Sequence, residues 1–261
     1  MIDELLDLAC RLAVEAGDTA LGGRRATAVA ATTTKSTSTD LVTLHDQAAE
    51  ATIVAGLGAA RPDDGIVGEE GTQRAGTSGI SWLVDPIDGT TNFVYDLPMW
   101  STSIAATDGD GMLVGAVYAP ALGELFAAAR GMGATLGGRP IRCSERTDLA
   151  LALVATGFSY RAERRRQQAA VVEALIGSVR DVRRLGSAAL DLCYVAAGRY
   201  DAYYETDLNS WDAAAGELIA TEAGCRSGDF RGGTPRPAEL LVTTPAIFDD
   251  MVELLARSGA T

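Results

Sequence analysis

Residues 82–100 read WLVDPIDGTTNFVYDLPMW, and the interpretation of the whole chain starts from this stretch. The apolar run Trp82-Leu83-Val84 has the character of a buried strand, and it ends abruptly at two acids, Asp85 and Asp88. The proline after Asp85 biases that residue toward an extended backbone, while Gly89 permits geometry that other residues resist. The pattern predicts a strand that stops at a carboxylate-rich turn. Such strand ends are where α/β proteins commonly place ligands.

The composition is that of an acidic globular chain. Its 261 residues are 47% hydrophobic and 22% charged, and the formal net charge is -13. A chain of this length can bury a substantial core, and its net charge argues against a surface for nucleic acid or anionic lipid, both of which need clustered Lys and Arg. We therefore expect neither nucleic acid nor a membrane as a partner. An anionic substrate would need a local positive charge, which bound cations could supply.

Cysteine usage and the amino-terminal sequence indicate a cytoplasmic location. Cys10, Cys143, Cys193 and Cys225 are scattered and form no CxxC pair, which favours reduced, packed thiols over a disulfide framework or a zinc site. The chain begins MIDELLDLAC, with acids where a signal peptide would carry basic residues. No apolar run is long enough to cross a bilayer.

The hydrophobic pattern differs between the two halves of the chain. After helices predicted at residues 3–21 and 44–60, alternating apolar segments with turn signals between them predict an antiparallel sheet within residues 101–142. The later pattern is strand 151–155, helix 162–179, strand 182–185, helix 188–197, strand 201–205, helix 211–223, strand 238–242 and helix 245–257. This alternation predicts a mixed α/β fold with some parallel pairing. We interpret residues 1–261 as a single domain whose two halves meet near residues 140–150.

Further acids stand at predicted helix starts or strand ends. Asp46 and Asp212 lie near the beginnings of helices, where a carboxylate suits the positive end of the helix dipole. Glu69 follows a short apolar strand, and Glu205 ends another. Taken singly, the first two are interpreted as caps and Glu69 as part of a solvated loop. His45 is the only histidine, which argues against a triad or a His-rich metal site.

Taken together, the acids suggest a metal site. Asp85, Asp88, Glu69 and Asp212 come from three separated segments, and packed together without cations they would repel one another. Oxygen ligands without His or Cys suit Mg²⁺, with Mn²⁺ as a possible substitute, and disfavour zinc. Because Mg²⁺ commonly shares a phosphate with its carboxylates, and because Gly89 and the following amides could hold phosphate oxygens, the combination describes a phosphatase site.

Several motifs give this chain a specific resemblance. GEEG at 68–71, WLVDPIDGTTNF at 82–93 and WDAAAGELIATEAG at 211–224 resemble the signature motifs of the inositol monophosphatase family, in their usual order and separation. Lys35, DLVTLHD at 40–46, LGSAA at 185–189 and YYE at 203–205 are similar to that family's intervening pieces. The resemblance covers nearly the whole chain. It implies a layered αβαβα sandwich, a single catalytic domain and a homodimer, with lithium sensitivity common among members.

The resemblance also implies a role for each site residue. Glu69, Asp85 and the Ile87 carbonyl are implied to bind one Mg²⁺, and Asp85, Asp88 and Asp212 a second, with Glu69 serving a third, weaker position through water. Asp46 and Thr90 are implied to orient and deprotonate the attacking water, so that Asp46, Thr90 and Glu69 form the catalytic set. The implied substrate contacts are Asp88, Gly89, Thr90, Ala188, Glu205 and Asp212.

The reaction implied is Mg²⁺-dependent hydrolysis of myo-inositol 1-phosphate, a small phosphate monoester, to inositol and phosphate. Thr91 after Gly89-Thr90 resembles inositol phosphatases rather than the Gly-Thr-Lys form of relatives that act on nucleotide or histidinol phosphates. A sibling phosphatase for fructose 1,6-bisphosphate, histidinol phosphate or a 3′-phosphonucleotide is the enzymatic alternative. A metal-stabilised interaction module without turnover is the alternative of a different class.

Overall fold

The computed structural model describes residues 2–26, 32–34 and 41–260, so that Lys35 and Asp40 lie outside the described residues. The described residues form seven α-helices, namely α1 (Ile2–Ala26), α2 (Leu44–Ala60), α3 (Thr90–Val94), α4 (Ala162–Leu175), α5 (Ala188–Ala196), α6 (Ser210–Glu222) and α7 (Phe248–Arg257). They also form strands β1 (Thr32–Thr34), β2 (Leu41–Thr43), β3 (Gly65–Gly68), β4 (Gln73–Arg74), β5 (Ser81–Asp88), β6 (Ser101–Asp108), β7 (Gly111–Ala119), β8 (Glu124–Ala129), β9 (Gly133–Leu136), β10 (Arg139–Ile141), β11 (Leu153–Thr156), β12 (Asp181–Arg183), β13 (Ala202–Thr206), β14 (Arg226–Gly228) and β15 (Glu239–Thr243).

The larger elements stack in five layers. An eight-stranded sheet has the order β10-β9-β8-β7-β6-β5-β3-β4, and a five-stranded sheet has the order β12-β11-β13-β15-β14. Helices α1 and α2 cover one face of the larger sheet, α5 and α6 lie between the two sheets, and α4 and α7 cover the outer face of the smaller sheet. This arrangement confirms the predicted αβαβα sandwich.

Alternation along the central strands produces two of the three cores. Trp82 and Val84 of β5 join the core beneath α1 and α2, whereas Leu83 between them joins the core beneath α5 and α6. Successive side chains of a strand point to opposite faces, so a strand covered on both faces reads as a continuous apolar run. The predicted antiparallel pairing of β6, β7 and β8 is confirmed, as is parallel pairing of β11 with β12 and β13.

One local prediction was wrong. Strand β5 does not stop before the acids but continues through Asp88, with a register irregularity between Asp85 and Asp88. The Thr102 hydroxyl donates to the Pro86 carbonyl at 2.9 Å within this irregularity, so a side chain supplies part of the pairing. Residues 73–79 begin as β4 and are held by Asp64, which accepts from the Ser78 hydroxyl at 2.6 Å.

Some predicted boundaries also shift. The helix predicted to reach residue 179 ends as α4 at Leu175 and is followed by a 3₁₀ turn, Ile176–Ser178. The closing helix begins with a 3₁₀ turn, Pro245–Ile247, before α7. Among the helices that the described ranges contain, none is long and apolar enough to cross a membrane.

Candidate active site

The ends of both sheets and the starts of three helices meet at one pocket. The predicted site residues that line this pocket are Glu69, Asp85, Asp88, Gly89, Thr90, Ala188, Glu205 and Asp212. Ile87 and Asp46 lie behind the lining, at 1% and 0% exposure respectively. The fold therefore brings the predicted residues together, although two of them reach the pocket only through a neighbour or a main-chain atom.

Three acids of the central cluster, Asp85, Asp88 and Asp212, are oriented by hydrogen bonds from their own segment or a neighbouring helix. The Ile87 amide donates to Asp85 Oδ1 at 3.0 Å, and the Asn209 amide donates to Asp212 Oδ2 at 2.6 Å. Asp88 Oδ2 accepts from the Ser187 hydroxyl at 2.6 Å and from an amide in the first turn of α5 at 2.7 Å. Protein hydrogen bonds thus orient these three carboxylates.

These acids disfavour the ionised forms of their neighbours. Desolvation raises the pKa of Asp85 well above its ordinary value, and the charges of Glu69, Asp88 and Asp212 raise it further. Desolvation, followed by the charges of Asp88 and Glu69, likewise raises the pKa of Asp212 well above its ordinary value. Desolvation raises the pKa of Asp88 to about 6, although hydrogen bonds from Ser187 and from α5 oppose the rise.

This donor set fits a hard divalent cation. Its ligands are carboxylate oxygens that repel one another, and oxygen donors of this kind are what Mg²⁺ prefers. Within the described residues, no three Asp, Glu, His or Cys side chains already stand together as a preformed cage. The fit therefore rests on the chemistry of Glu69, Asp85, Asp88 and Asp212 and on their placement around one pocket.

The raised pKa values predict a pH effect on the metal-free protein. Because the pKa of Asp85, Asp88 and Asp212 is raised on folding, the contribution of these acids to stability is fully present below their ordinary pKa values and is lost as pH rises through the folded ones. We expect the free energy of unfolding without Mg²⁺ to fall as pH rises from about 4, near the ordinary pKa of these acids, to above about 6, the folded pKa of Asp88. Added Mg²⁺ should stabilise the protein more at the higher pH. Thermal unfolding at both pH values, with and without Mg²⁺, measures this, and equal stabilisation at both would contradict it.

Asp46 serves as a helix cap and also contacts the site. Thr43 donates through its amide and its hydroxyl to Asp46 Oδ2, at 2.7 and 2.5 Å, in the capping box that starts α2. The Thr90 hydroxyl lies 3.2 Å from Asp46 Oδ1 and 3.1 Å from the Ile87 carbonyl oxygen, and it can donate to either. The cap interpretation of Asp46 is therefore confirmed, and the same carboxylate also lies within hydrogen-bonding distance of Thr90. Its contact with the pocket passes through Thr90.

Gly89 makes the close turn between β5 and α3. Its φ is 97°, and a Cβ there would lie 3.0 Å from the Gly186 carbonyl oxygen and 3.1 Å from that of Met99. Any other residue would combine a left-handed backbone with crowding. Glycine at this position lets Thr90 begin α3 directly beside the acids.

The opposite wall of the pocket contains Glu205, whose pKa is raised to about 7 by desolvation. The Tyr203 hydroxyl donates to Glu205 Oε2 at 2.5 Å. A Cβ on Gly157 would lie within 2.2 Å of three Glu205 side-chain atoms, so any other residue there would displace the Glu205 carboxylate. Among the described residues that line the pocket, Arg184 is the single cation, and the sequence reasoning did not select it. Its position beside the LGSAA motif was the available signal.

Glu50 is a second residue that the sequence reasoning missed. It is 4% exposed and lies one helical turn after Asp46 on α2. Its carboxylate accepts from the Glu70 amide at 2.8 Å, from the Thr72 amide at 3.2 Å and from the Thr72 hydroxyl at 2.6 Å. A Cβ on Gly68 would lie 2.4 Å from Glu50 Oε2. Glu50 therefore holds the loop that carries Glu69, just as Asp46 holds Thr90.

Replacement of Glu50 by Gln should loosen this loop. A carboxamide turns one acceptor into a donor that faces backbone and hydroxyl donors, so the position of Glu69 becomes less well defined. Because loss of a residue that supports a metal ligand typically costs about 10- to 100-fold in metal affinity, we expect the Mg²⁺ concentration for half-maximal activity to rise on that scale. Titration calorimetry with Mg²⁺ checks the affinity directly. Glu253→Gln, at an exposed site on α7, is the control, and an unchanged Mg²⁺ affinity in Glu50→Gln would contradict the role.

The layered fold and the acid-lined pocket define a class of protein, namely α/β proteins of the phosphatase type. The extragenic suppressor protein suhB of Bartonella henselae has the same fold, with a TM-score of 0.92 and 33% identity over 97% of this chain and 98% of that one.

The family follows from the sequence comparison. A family model described as the inositol monophosphatase family matches residues 1–257, and the chain therefore belongs to this family. It is 44% identical to an inositol-1-monophosphatase of Mycobacterium leprae over 95% of this chain and 88% of that protein. It is also 44% identical to a protein of Pasteurella multocida named Nus factor SuhB, over 89% of this chain and 87% of that protein. The resemblance drawn from the motifs is confirmed.

Proposed function

We propose that the protein is a Mg²⁺-dependent phosphomonoesterase that hydrolyses myo-inositol 1-phosphate to inositol and phosphate. The observation that carries this proposal is the meeting of Glu69, Asp85, Asp88 and Asp212 in one pocket with Thr90, which Asp46 supports from behind. Membership in the inositol monophosphatase family and the name of the Mycobacterium leprae relative also support it.

We assign the cation ligands to the acid cluster. Glu69, Asp85 and the Ile87 carbonyl would hold one Mg²⁺, and Asp85, Asp88 and Asp212 a second, with a third position reached from Glu69. Mn²⁺ could substitute, because it accepts the same oxygen donors. When bound, the cations would offset the repulsion among the carboxylates, polarise the phosphate and make water more acidic.

The residues of the chain then position the reactants and move a proton. The backbone of Gly89 and Thr90 would hold the phosphate oxygens. The Thr90 hydroxyl, already within hydrogen-bonding distance of Asp46, would accept the proton of the attacking water as its own proton passes to Asp46. The water oxygen forms the new P–O bond and the ester P–O bond breaks. The leaving alcohol oxygen takes a proton from solvent, and Asp46 returns its proton to solvent after the step. No phosphoenzyme forms.

The alcohol of the substrate would face the wall formed by Ala188 and Glu205. The Glu205 carboxylate can accept hydrogen bonds from ring hydroxyls, and Asp88 and Asp212 would contact the hydroxyls nearest the phosphate. This wall, rather than the acid cluster, is where we expect substrate selection among inositol and sugar phosphates.

We further propose that residues 1–261 act as one catalytic unit. The core between the sheets contains Leu83 and Phe126 from the first half and Leu192 and Tyr203 from the second, which supports this view. A homodimer and a cytoplasmic location stay predictions, and sedimentation analysis would test the dimer.

The experiment that tests the function is a comparison of kcat/KM over a panel of purified substrates at fixed Mg²⁺. The panel contains inositol 1-phosphate, fructose 1,6-bisphosphate, histidinol phosphate and a 3′-phosphonucleotide. The highest value for inositol 1-phosphate is expected. A higher kcat/KM for another member of the panel would make that compound the assigned substrate. The absence of phosphate release from all of them would contradict the proposal that the protein is a phosphatase.

A role outside phosphate hydrolysis is the second candidate. The name Nus factor SuhB, carried by the Pasteurella multocida relative, is the observation that favours it. A chain with that role alone could lose the Thr90 hydroxyl without consequence, whereas the phosphatase could not. Phosphate release by the wild-type protein at physiological Mg²⁺ separates the two candidates.

A further inference from the structure

Two cysteines that are distant in sequence meet away from the active site. Cys143 follows β10 at the edge of the larger sheet, and Cys225 lies between α6 and β14. The Cys143 amide donates to the Ala223 carbonyl at 3.1 Å, and a Cβ on Gly224 would lie 3.8 Å from Cys143 Sγ. Each of the two thiols alters the pKa of the other. The backbone contact therefore places the Cys143 side chain beside the segment that carries Cys225.

The two thiols differ in a way that suits sequential chemistry. Cys143 is half-buried, and the hydrogen bond from Cys225, helped by one from Thr244, lowers the pKa of its thiol to about 6 against the effect of desolvation. Cys225 is buried, and the hydrogen bond to Cys143 together with desolvation raises the pKa of its thiol. Of the two thiols, Cys143 is therefore the one that ionises more readily. A thiolate with a neighbouring thiol is the arrangement typical of reversible oxidation.

The other two cysteines lack this arrangement. Burial raises the pKa of Cys10 to about 11, with the charge of Asp7 adding to the effect. Cys193 lies in α5 at 0% exposure, and burial raises its pKa well above the ordinary value. Oxidants that react with thiolates should therefore select Cys143.

We propose that Cys143 and Cys225 form a site of reversible oxidative modification, at which a hydroperoxide converts the two thiols into an intramolecular disulfide. The Cys143 sulfur attacks one peroxide oxygen, an S–O bond forms, the O–O bond breaks, and hydroxide or an alcohol leaves. The Cys225 sulfur then attacks the Cys143 sulfur, the S–S bond forms, the S–O bond breaks, and water leaves with the Cys225 proton. The peroxide is reduced by two electrons, and the two thiols supply them.

The position of the pair predicts an effect on stability rather than on turnover. The link would join the edge of the larger sheet to the carboxyl end of α6, whereas Asp212 lies in the first turn of that helix. This end of α6 is already attached to the sheet, because Glu222 accepts from the amides of Gly131 and Gly133 at 2.7 and 2.9 Å. A bridge between segments that already touch requires little movement, and it restricts the unfolded chain. We expect a higher midpoint of thermal unfolding and an unchanged kcat.

Peptide mapping of the full chain after peroxide treatment tests the proposal. Hydrogen peroxide is added at low molar excess, free thiols are alkylated, and the protein is digested with trypsin without reduction. We expect the peptides 143–146 and 200–226 to be linked by a disulfide, with a mass two hydrogens lower than the sum of the separate peptides. Treatment with dithiothreitol should release the two separate peptides. Cys143→Ser and Cys225→Ser should both abolish the pair, and Cys10→Ser should retain it.

The peptide map of the wild-type protein alone can contradict the proposal, so the test does not depend on whether the variants fold. Free Cys143 and Cys225 after treatment, a sulfinic acid on Cys143 with Cys225 still a thiol, or links between chains would each contradict an intramolecular disulfide. A disulfide that formed but left the unfolding midpoint unchanged would overturn the stabilising role.

Discussion

Replacement of Asp85 by Asn is expected to lower kcat/KM for phosphate release by about 10³-fold or more, because cation chemistry supplies several kcal/mol and each ~1.4 kcal/mol is a factor of ten. Asp85 is the acid that we assign to both principal cations. The substitution retains the shape of the side chain and an oxygen that can accept from the Ile87 amide, now 3.0 Å from Oδ1. The fold should therefore survive while the cation site does not.

The same variant should behave in an unusual way without Mg²⁺. Desolvation and the neighbouring acids disfavour a charged Asp85, so a neutral Asn at this position relieves repulsion. We expect the metal-free variant to unfold at the same temperature as the wild type or higher, and to lose the rise that Mg²⁺ produces. Steady-state kinetics and thermal unfolding with and without Mg²⁺ measure both effects.

Asp250→Asn is the matched control, because Asp250 is exposed on α7 and its substitution by Asn removes the same negative charge. It should leave the rate and the Mg²⁺ response unchanged. A near wild-type rate for Asp85→Asn would remove this residue from the cation site. If Asp85→Asn lost its fold as well as its activity, Asp212→Asn would be the deciding variant. In Asp212→Asn the Asn209 amide can still donate to the side-chain oxygen at position 212.

The layers could be predicted from the sequence because their pattern is local. Alternation at Trp82, Leu83 and Val84 places successive side chains in different cores, and the helix signals in the second half have the usual lengths. The three-residue strand β14 was missed, because so short a segment has little pattern of its own. Strand β5 was ended too early, because the Thr102 hydroxyl that contacts the Pro86 carbonyl comes from the next strand.

The site was harder to predict where a residue acts through distant contacts. Asp46 carries a local cap signal, but its second contact is with Thr90, 44 residues away, so only the family resemblance indicated it. Glu50 has no local signal, since its partners are 20 and 22 residues along the chain. Its position one turn after Asp46 becomes meaningful only once α2 is seen to present both acids toward the site.

Replacement of Thr90 by Val should reduce kcat by about 10²- to 10⁴-fold, the range that proton transfer by a positioned side chain contributes. Valine keeps the branched shape of threonine but removes the hydroxyl that lies 3.2 Å from Asp46 Oδ1 and 3.1 Å from the Ile87 carbonyl. KM and the stabilisation by Mg²⁺ should change little, because none of the acid ligands is altered. Thr90→Ser, which keeps the hydroxyl, should retain most of the rate.

The pairing of Thr90 with Asp46 can be separated from the structural role of Asp46. Asp46→Asn weakens the capping box at Thr43 as well as the contact with Thr90, so its loss of stability must be measured beside its loss of rate. If the two residues act as one proton path, the double variant should be about as slow as the slower single variant, because residues that act as a unit are strongly non-additive. If instead the two fold-losses in kcat multiply in the double variant, Thr90 positions the water without passing its proton to Asp46. An undiminished kcat in Thr90→Val would exclude Thr90 from the proton path altogether.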